Sequence, residues 1–209
     1  EDHAVLAGLA NIIKHTKLSR DNLDQLIDTR ARDMIDEPPE DEAELRTYAV
    51  GTAATLNAAW LEILAPADGD HPATVQKASK HVSVAWALTG LLRSSGSLAG
   101  YQRIMIPETV MQQFGFDKYA FFKGQPNFEI KAATKHLAEL ARVEINQART
   151  LMDGKVEKRY LPVFLQATLA ELYLKRIEKL DCNPFSSGIE DGRALRQLKL
   201  TFKALRGSF

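Results

Sequence analysis

Carboxylates and guanidinium groups crowd one stretch of this sequence, Leu26-Ile27-Asp28-Thr29-Arg30-Ala31-Arg32-Asp33-Met34-Ile35-Asp36-Glu37. Asp28, Arg32 and Asp36 recur every four residues, so on a helix they share one face, with Asp33 close by. Carboxylates grouped this way can hold Mg²⁺, which takes oxygen ligands and often bridges to phosphates. Asp33 and Asp36 are the candidate metal ligands. The same spacing also suits a solvated helix with i,i+4 ion pairs of about 0.2–0.5 kcal/mol each. The interleaved arginines would partly neutralise a metal site.

A second stretch runs from Ala85 to Pro107 and contains Arg93-Ser94-Ser95-Gly96-Ser97-Leu98. Arg93 and Arg103 are placed to hold a phosphate or carboxylate, because guanidinium matches those anions bidentately. Arg93 can equally be read as the cation that caps a helix C-terminus. The five histidines, His3, His15, His71, His81 and His136, show no HExxH or similar ligand spacing, so no zinc site is expected. P-loop, GxGxxG and GxSxG motifs are absent. The single cysteine, Cys182, precedes the turn signal Asn183-Pro184 and reads as a buried or turn residue rather than a nucleophile.

The elements that must position these groups are helical, because apolar residues recur with helical period throughout. Expected helices run from His3 to His15, from an N-cap at Ser19 to about Asp36, and from Asp41 to about Leu64. Pro38-Pro39 separates the second from the third. A loop is expected at Pro66 and Asp68-Gly69-Asp70-His71-Pro72. Ala73 to about Arg93 reads as a central helix, apolar most of the way round. A Ser/Gly loop is expected from Ser94 to Tyr101, a short helix from Pro107 toward Phe114, and an irregular connection through Tyr119, Phe121 and Phe122. Long helices are expected from Asn127 or Phe128 to Met152 and from Leu161 to Leu180, and a last one from Arg193 to Leu205. That makes seven or eight helices in one all-α, bundle-like domain over residues 1–209.

Composition narrows the function. The chain has 209 residues, with Lys+Arg and Asp+Glu at 27 each, so no large nucleic-acid surface is expected. One cysteine rules out a disulfide framework within the chain and points to a reducing compartment. No apolar run reaches the roughly 18 residues needed to span a bilayer, and no strongly basic amphipathic helix stands out. Glu1-Asp2-His3 leads straight into helix, so upstream sequence, including N-terminal helices, is expected to be missing.

These stretches resemble the squalene/phytoene synthase family, the head-to-head prenyl synthases. Leu26 to Met34 is similar to the family helix with an acidic residue before an "MDL" step, with Asp33 at its Asp. Tyr48-Ala49-Val50-Gly51-Thr52 resembles "Y…VAGxVG", and Ala85 to Pro107 resembles "ALQLTNILRDVxED…GRxYLP". Ala170 to Glu178 resembles the late helix with its central Tyr, here Tyr173. Asp181-Cys182-Asn183-Pro184-Phe185 and the Arg-rich end resemble the last turn and helix. The resemblance implies an isoprenoid-synthase-like bundle, with a first aspartate box upstream of Glu1.

The departures from the family pattern matter more. Gly90 stands at the Asn of the second aspartate box, Arg93 keeps its Arg, Ser94 stands at its first Asp, and Ser97 and Leu98 stand at its closing Glu-Asp. Every carboxylate of the box is gone, and diphosphate ionisation depends on metal clamping of the leaving group. A degenerate branch of the family, associated with respiratory complex I assembly, shares this pattern together with "IDxRxRDxxDEPP" and "AWALTGLLR". The resemblance therefore implies no catalytic residues and no cofactor. It leaves a pocket for an isoprenoid or lipid among Asp28, Arg32, Asp33, Asp36, Arg93, Arg103 and Tyr173. Partners would be complex I subunits or assembly factors. The expected location is the bacterial cytoplasm or mitochondrial matrix, peripheral to the inner membrane and without a transmembrane segment. The alternative is a Mg²⁺-dependent prenyltransferase using prenyl diphosphates.

Overall fold

The computed structural model of the chain describes residues 3–64, 71–190 and 192–209. Ten α-helices follow one another among them: α1 (Ala4–His15), α2 (Arg20–Arg30), α3 (Glu42–Ala49), α4 (Thr55–Ile63), α5 (Ala73–Gly100), α6 (Glu108–Phe114), α7 (Lys118–Phe122), α8 (Phe128–Met152), α9 (Leu161–Lys179) and α10 (Arg193–Leu205). The described residues contain no strand, only an isolated bridge between Lys155 and Ser208. The expected loop at Pro66 and Asp68-Gly69-Asp70 lies outside the described residues, as do Glu1 and Asp2.

The centre of the fold is α5, packed against α8 and α9. Val82, Val84, Ala85, Leu88 and Leu92 are buried on it, which accounts for its all-round apolar character. The expected loop after Arg93 is a misreading: α5 continues through Ser94 to Gly100. Ser95 and Ala99 extend the buried row of Leu88 and Leu92, and the Ser94 and Ser95 hydroxyls donate to the Leu91 carbonyl. The small residues here allow close packing instead of breaking the helix. The helix ends at Gly100. There Gln102 takes a left-handed φ of 56° and the Arg103 N–H closes on the Leu98 carbonyl.

The Asp41-to-Leu64 segment is one helical rod interrupted by a π-helical turn at Val50–Ala54. Asp41 caps it, its carboxylate accepting from the Glu44 N–H. Gly51 sits in the π turn where α2 crosses: a Cβ there would lie 2.3 Å from Thr29 Oγ1 and 2.9 Å from Thr29 Cβ. Glycine at this position leaves room for the Thr29 side chain. Buried Glu144 on α8 accepts from Arg46 of α3 at 2.9 Å and pairs with His81 of α5, joining three helices through one carboxylate.

Two further expectations change. The helix beginning after Ser19 does not reach Asp36; it ends at Arg30 and tightens into a 3₁₀ turn over Ala31–Met34. Ile35 is extended, and the Arg32 guanidinium turns back to donate to the Glu37 carbonyl at 2.8 Å. With Pro38-Pro39 just ahead, an extended approach costs less than another helical turn. The region of Tyr119, Phe121 and Phe122 forms α7 instead of an irregular link. Finally, the last helix runs from Arg193 to Leu205 as expected, but the expectation of no strongly basic amphipathic helix is corrected: α10 has its apolar residues on one side and only cations among its charged residues.

Candidate functional site

A cavity of about 670 Å³ opens between α2, the π turn, α4 and α5. Leu26, Leu56, Trp60, Trp86 and Leu91 give it apolar walls, and Arg30 and Tyr48 mark one polar edge. Its floor holds a satisfied amide pair: Gln166 donates to Asn57 Oδ1 at 2.9 Å, and Asn57 donates to Ser83 Oγ at 2.7 Å. The π turn supplies Thr52 and Ala53 to this cavity. On its other side Val50, Ala54 and Thr55 line a second cavity of about 480 Å³. Such turns recur at functional sites.

At the polar edge, Asp33 is held on both oxygens. Tyr48 donates to Oδ1 at 2.7 Å and Arg30 donates to Oδ2 at 2.9 Å. Arg30 also donates to the Tyr48 hydroxyl at 3.1 Å. Burial pushes the Asp33 carboxyl upward, but the bonds from Tyr48 and Arg30, with Arg103 nearby, outweigh it and hold the group below the ordinary carboxylate range. Burial, reinforced by the bond to Asp33, raises the Tyr48 phenol to about 12. Arg103 is anchored by donating to the Ile35 carbonyl at 3.0 Å.

Arg93 belongs to a different cluster. Its guanidinium lies over the Tyr173 ring at 3.9 Å from the centroid and near Trp86 at 5.8 Å, and it donates to Glu190 at 2.8 Å. Tyr173 donates to the same carboxylate at 3.1 Å, and Arg196 covers Tyr173 at 4.5 Å. Burial acts to raise Glu190, but the bonds from Arg93 and Tyr173 hold it below its ordinary value. The helix-cap reading of Arg93 does not apply, since α5 runs seven residues past it.

The residues expected to line the pocket are thus divided. Asp33 and Arg103 gather beside the cavity with Arg30 and Tyr48. Arg93 and Tyr173 gather with Glu190 and Arg196. Arg32 is turned away to Glu44 at 3.0 Å, and Asp28 and Asp36 are exposed on separate segments. Sequence reading missed Arg30, Tyr48, Trp86 and Glu190. Arg30 could have been found from its i,i+3 spacing to Asp33. Glu190 lies 97 residues from Arg93 and gave no signal.

The residues present do not fit a Mg²⁺ cluster. Both Asp33 oxygens are taken by donors, Asp36 points from a different backbone segment, and Ser94, Ser97 and Leu98 offer α5 no carboxylate. Among the described residues no group of three or more His, Cys, Asp or Glu side chains is poised to hold a metal. Cys182 is buried, and burial pushes its thiol up, away from the reactive thiolate.

An all-α bundle with an apolar cavity bounded by helices and edged by arginine–carboxylate clusters is the arrangement of a prenyl-synthase-like protein. The squalene/phytoene synthase family model matches residues 1–202, and the chain belongs to that family. Among curated relatives it is 26% identical over 204 residues to NADH dehydrogenase (ubiquinone) complex I, assembly factor 6 of Rattus norvegicus, covering 97% of this chain and 59% of the relative. The Homo sapiens protein of that name is 23% identical over 207 residues, covering 98% and 60%, and the Dictyostelium discoideum homolog is 25% identical over 185 residues, covering 88% and 51%. The chain therefore spans between half and three fifths of these relatives' lengths. Among solved structures, a dehydrosqualene synthase in complex with ligand superposes with a TM-score of 0.81 at 17% identity, over 99% of this chain and 71% of that one. Squalene synthase HpnC from Alicyclobacillus acidocaldarius gives 0.71 at 19% identity, over 80% and 62%. These likenesses establish an isoprenoid-synthase-like fold. No helix among the described residues is long and apolar enough to cross a membrane.

Proposed function

We propose that this chain is a non-catalytic squalene/phytoene synthase homologue that acts in respiratory complex I assembly and keeps its cavity for an isoprenoid or lipid ligand. The observation that carries the reading is the fate of the second aspartate box on α5. Ser94 donates to the Leu91 carbonyl, Leu98 packs against the core, and Ser97 is exposed, so no carboxylate faces Arg93 from its own helix. Arg93 is neutralised by Glu190 instead. A diphosphate leaving group would find arginines here but not the metal clamp that its departure requires. The relatives named for complex I assembly support the cellular role, and the apolar cavity beside Arg30 supports the ligand class. Partners would be complex I subunits or other assembly factors, met in a bacterial cytoplasm or mitochondrial matrix.

Two experiments test this reading. The full chain, incubated with farnesyl or geranylgeranyl diphosphate and Mg²⁺, should release no pyrophosphate. Robust release that is abolished by Asp33→Ala would establish the prenyltransferase alternative. Deleting the gene should reduce assembled complex I on native gels, and unchanged assembly would remove the cellular role.

A further inference from the structure

On α10 the apolar row faces outward. At about 100° per residue, Leu195, Leu198, Phe202 and Leu205 fall within an arc of about 80°. All four are exposed, by 52–78%. The opposite side of the helix makes the contact with the rest of the chain. Ala204 packs on the core, Leu200 is half-buried, Arg196 covers the Tyr173 ring, and Lys203 donates to the Phe209 carbonyl at 3.4 Å. An ordinary surface helix buries its apolar stripe and shows its charges to water. Here no described residue covers the stripe along about 15 Å of helix.

The charge on α10 indicates what covers the row. From Arg193 to Arg206 there are five cations, Arg193, Arg196, Lys199, Lys203 and Arg206, and no acidic residue. Lys199, and Arg206 about two turns further on at the helix end, are exposed along the strip immediately beside the apolar arc. The Arg206 guanidinium lies 4.0 Å from the Phe202 ring centroid, so cation and aromatic already form one surface. An exposed Leu/Phe ridge with a basic flank is the composition of a helix that lies in the plane of an anionic bilayer interface. By contrast, α1 also exposes Val5, Leu6, Ile12 and Ile13 but carries no comparable row of cations, so nothing in it selects a partner.

We infer that α10 is a membrane-docking helix: Leu195, Leu198, Phe202 and Leu205 enter the headgroup boundary of an anionic lipid surface, and Lys199 and Arg206 pair with its phosphates. Docking of this kind requires no turnover in the cavity. It would also bring the rim of the cavity toward the lipid, because Arg196 rests on Tyr173, whose ring is 6.5 Å from the cavity-lining Trp86.

Vesicle flotation of the full chain tests this. The chain should float with phosphatidylcholine vesicles containing phosphatidylglycerol and far less with phosphatidylcholine alone, and rising salt should weaken the binding. Leu198→Glu with Phe202→Glu should lower the affinity at least tenfold. Lys199→Glu with Arg206→Glu should lower it by about fivefold or more for each cation removed. Both pairs are exposed, so circular dichroism and the thermal midpoint should match the parent. Failure to float with anionic vesicles, or flotation unchanged by Leu198→Glu with Phe202→Glu, would overturn the inference. Self-association without vesicle binding, abolished by the same pair, would assign the row to a second copy of the chain and overturn it as well.

Discussion

The two arginine clusters around the cavity neutralise their charge by opposite routes. Arg30 takes its carboxylate from three residues away, and Tyr48 closes the arrangement from α3. Arg93 takes its carboxylate from Glu190, 97 residues away, with two aromatic rings as the platform. The first cluster is local and depends on how closely α2 approaches the π turn. The second is assembled across the bundle and depends on α5 staying helical past Arg93. Arg93, with no carboxylate on α5 itself, is thus balanced by one from elsewhere in the chain.

The sharpest way to break this comparison is to put a carboxylate back on α5. Leu98 packs against the core and borders a small void shared with Met105, Ile106 and Phe121. Leu98→Asp should therefore cost about 2–4 kcal/mol in urea denaturation. Ser97→Glu, on an exposed position of the same turn, should stay within about 0.5 kcal/mol. Equal costs would mean that the end of α5 is not seated as described.

The frame of the first cluster is tested at Gly51. Gly51→Ala sets a Cβ against Thr29 and should cost about 1–3 kcal/mol. Adding Thr29→Ala should recover part of this, because the two nearest atoms, Oγ1 and Cγ2, are removed. An unaffected thermal midpoint would show that α2 does not depend on this approach.

Tyr48→Phe should cost about 1 kcal/mol and let the Asp33 carboxyl rise toward its ordinary value. Conversely, Asp33→Asn should lower the Tyr48 phenol from about 12, while burial, the larger cause, keeps it above 10. Ultraviolet titration of tyrosinate in parent and variant reads this directly.

The smallest effect is expected at Glu190. Its folded carboxyl lies below its ordinary value of 4.5, so its stabilising contribution is present above that value and is lost as pH falls through the lower, folded value. The residue is 56% exposed, so Glu190→Gln should remove only a few tenths of a kcal/mol at neutral pH, with the parent and variant curves converging on acidification. A gap that widened below pH 4.5 would contradict the assignment.

Much of the architecture was legible because helical period and capping chemistry are local. The bounds of α1, α8, α9 and α10 follow from apolar spacing, Asn127 at an N-cap and Asp153-Gly154 in left-handed backbone. Two errors share a cause. Ser94 to Gly100 looked like a loop because Ser and Gly are weak helix formers, yet burial of Ser95 and Ala99 outweighed propensity. Asp28 to Asp36 looked like one continuous face because spacing cannot reveal that Arg32 will fold back on the Glu37 carbonyl.

By itself, the sequence determined that the chain is all-helical, that it resembles the squalene/phytoene synthases, and that the stretch from Ala73 to Gly100 has no carboxylate, because residue identity and periodicity are written along the chain. Only the tertiary structure decided where the surviving charges go. Ion pairs such as Arg93–Glu190 and the outward row of α10 depend on which helix packs on which, and that is set by burial summed over the whole core rather than by any local run of residues.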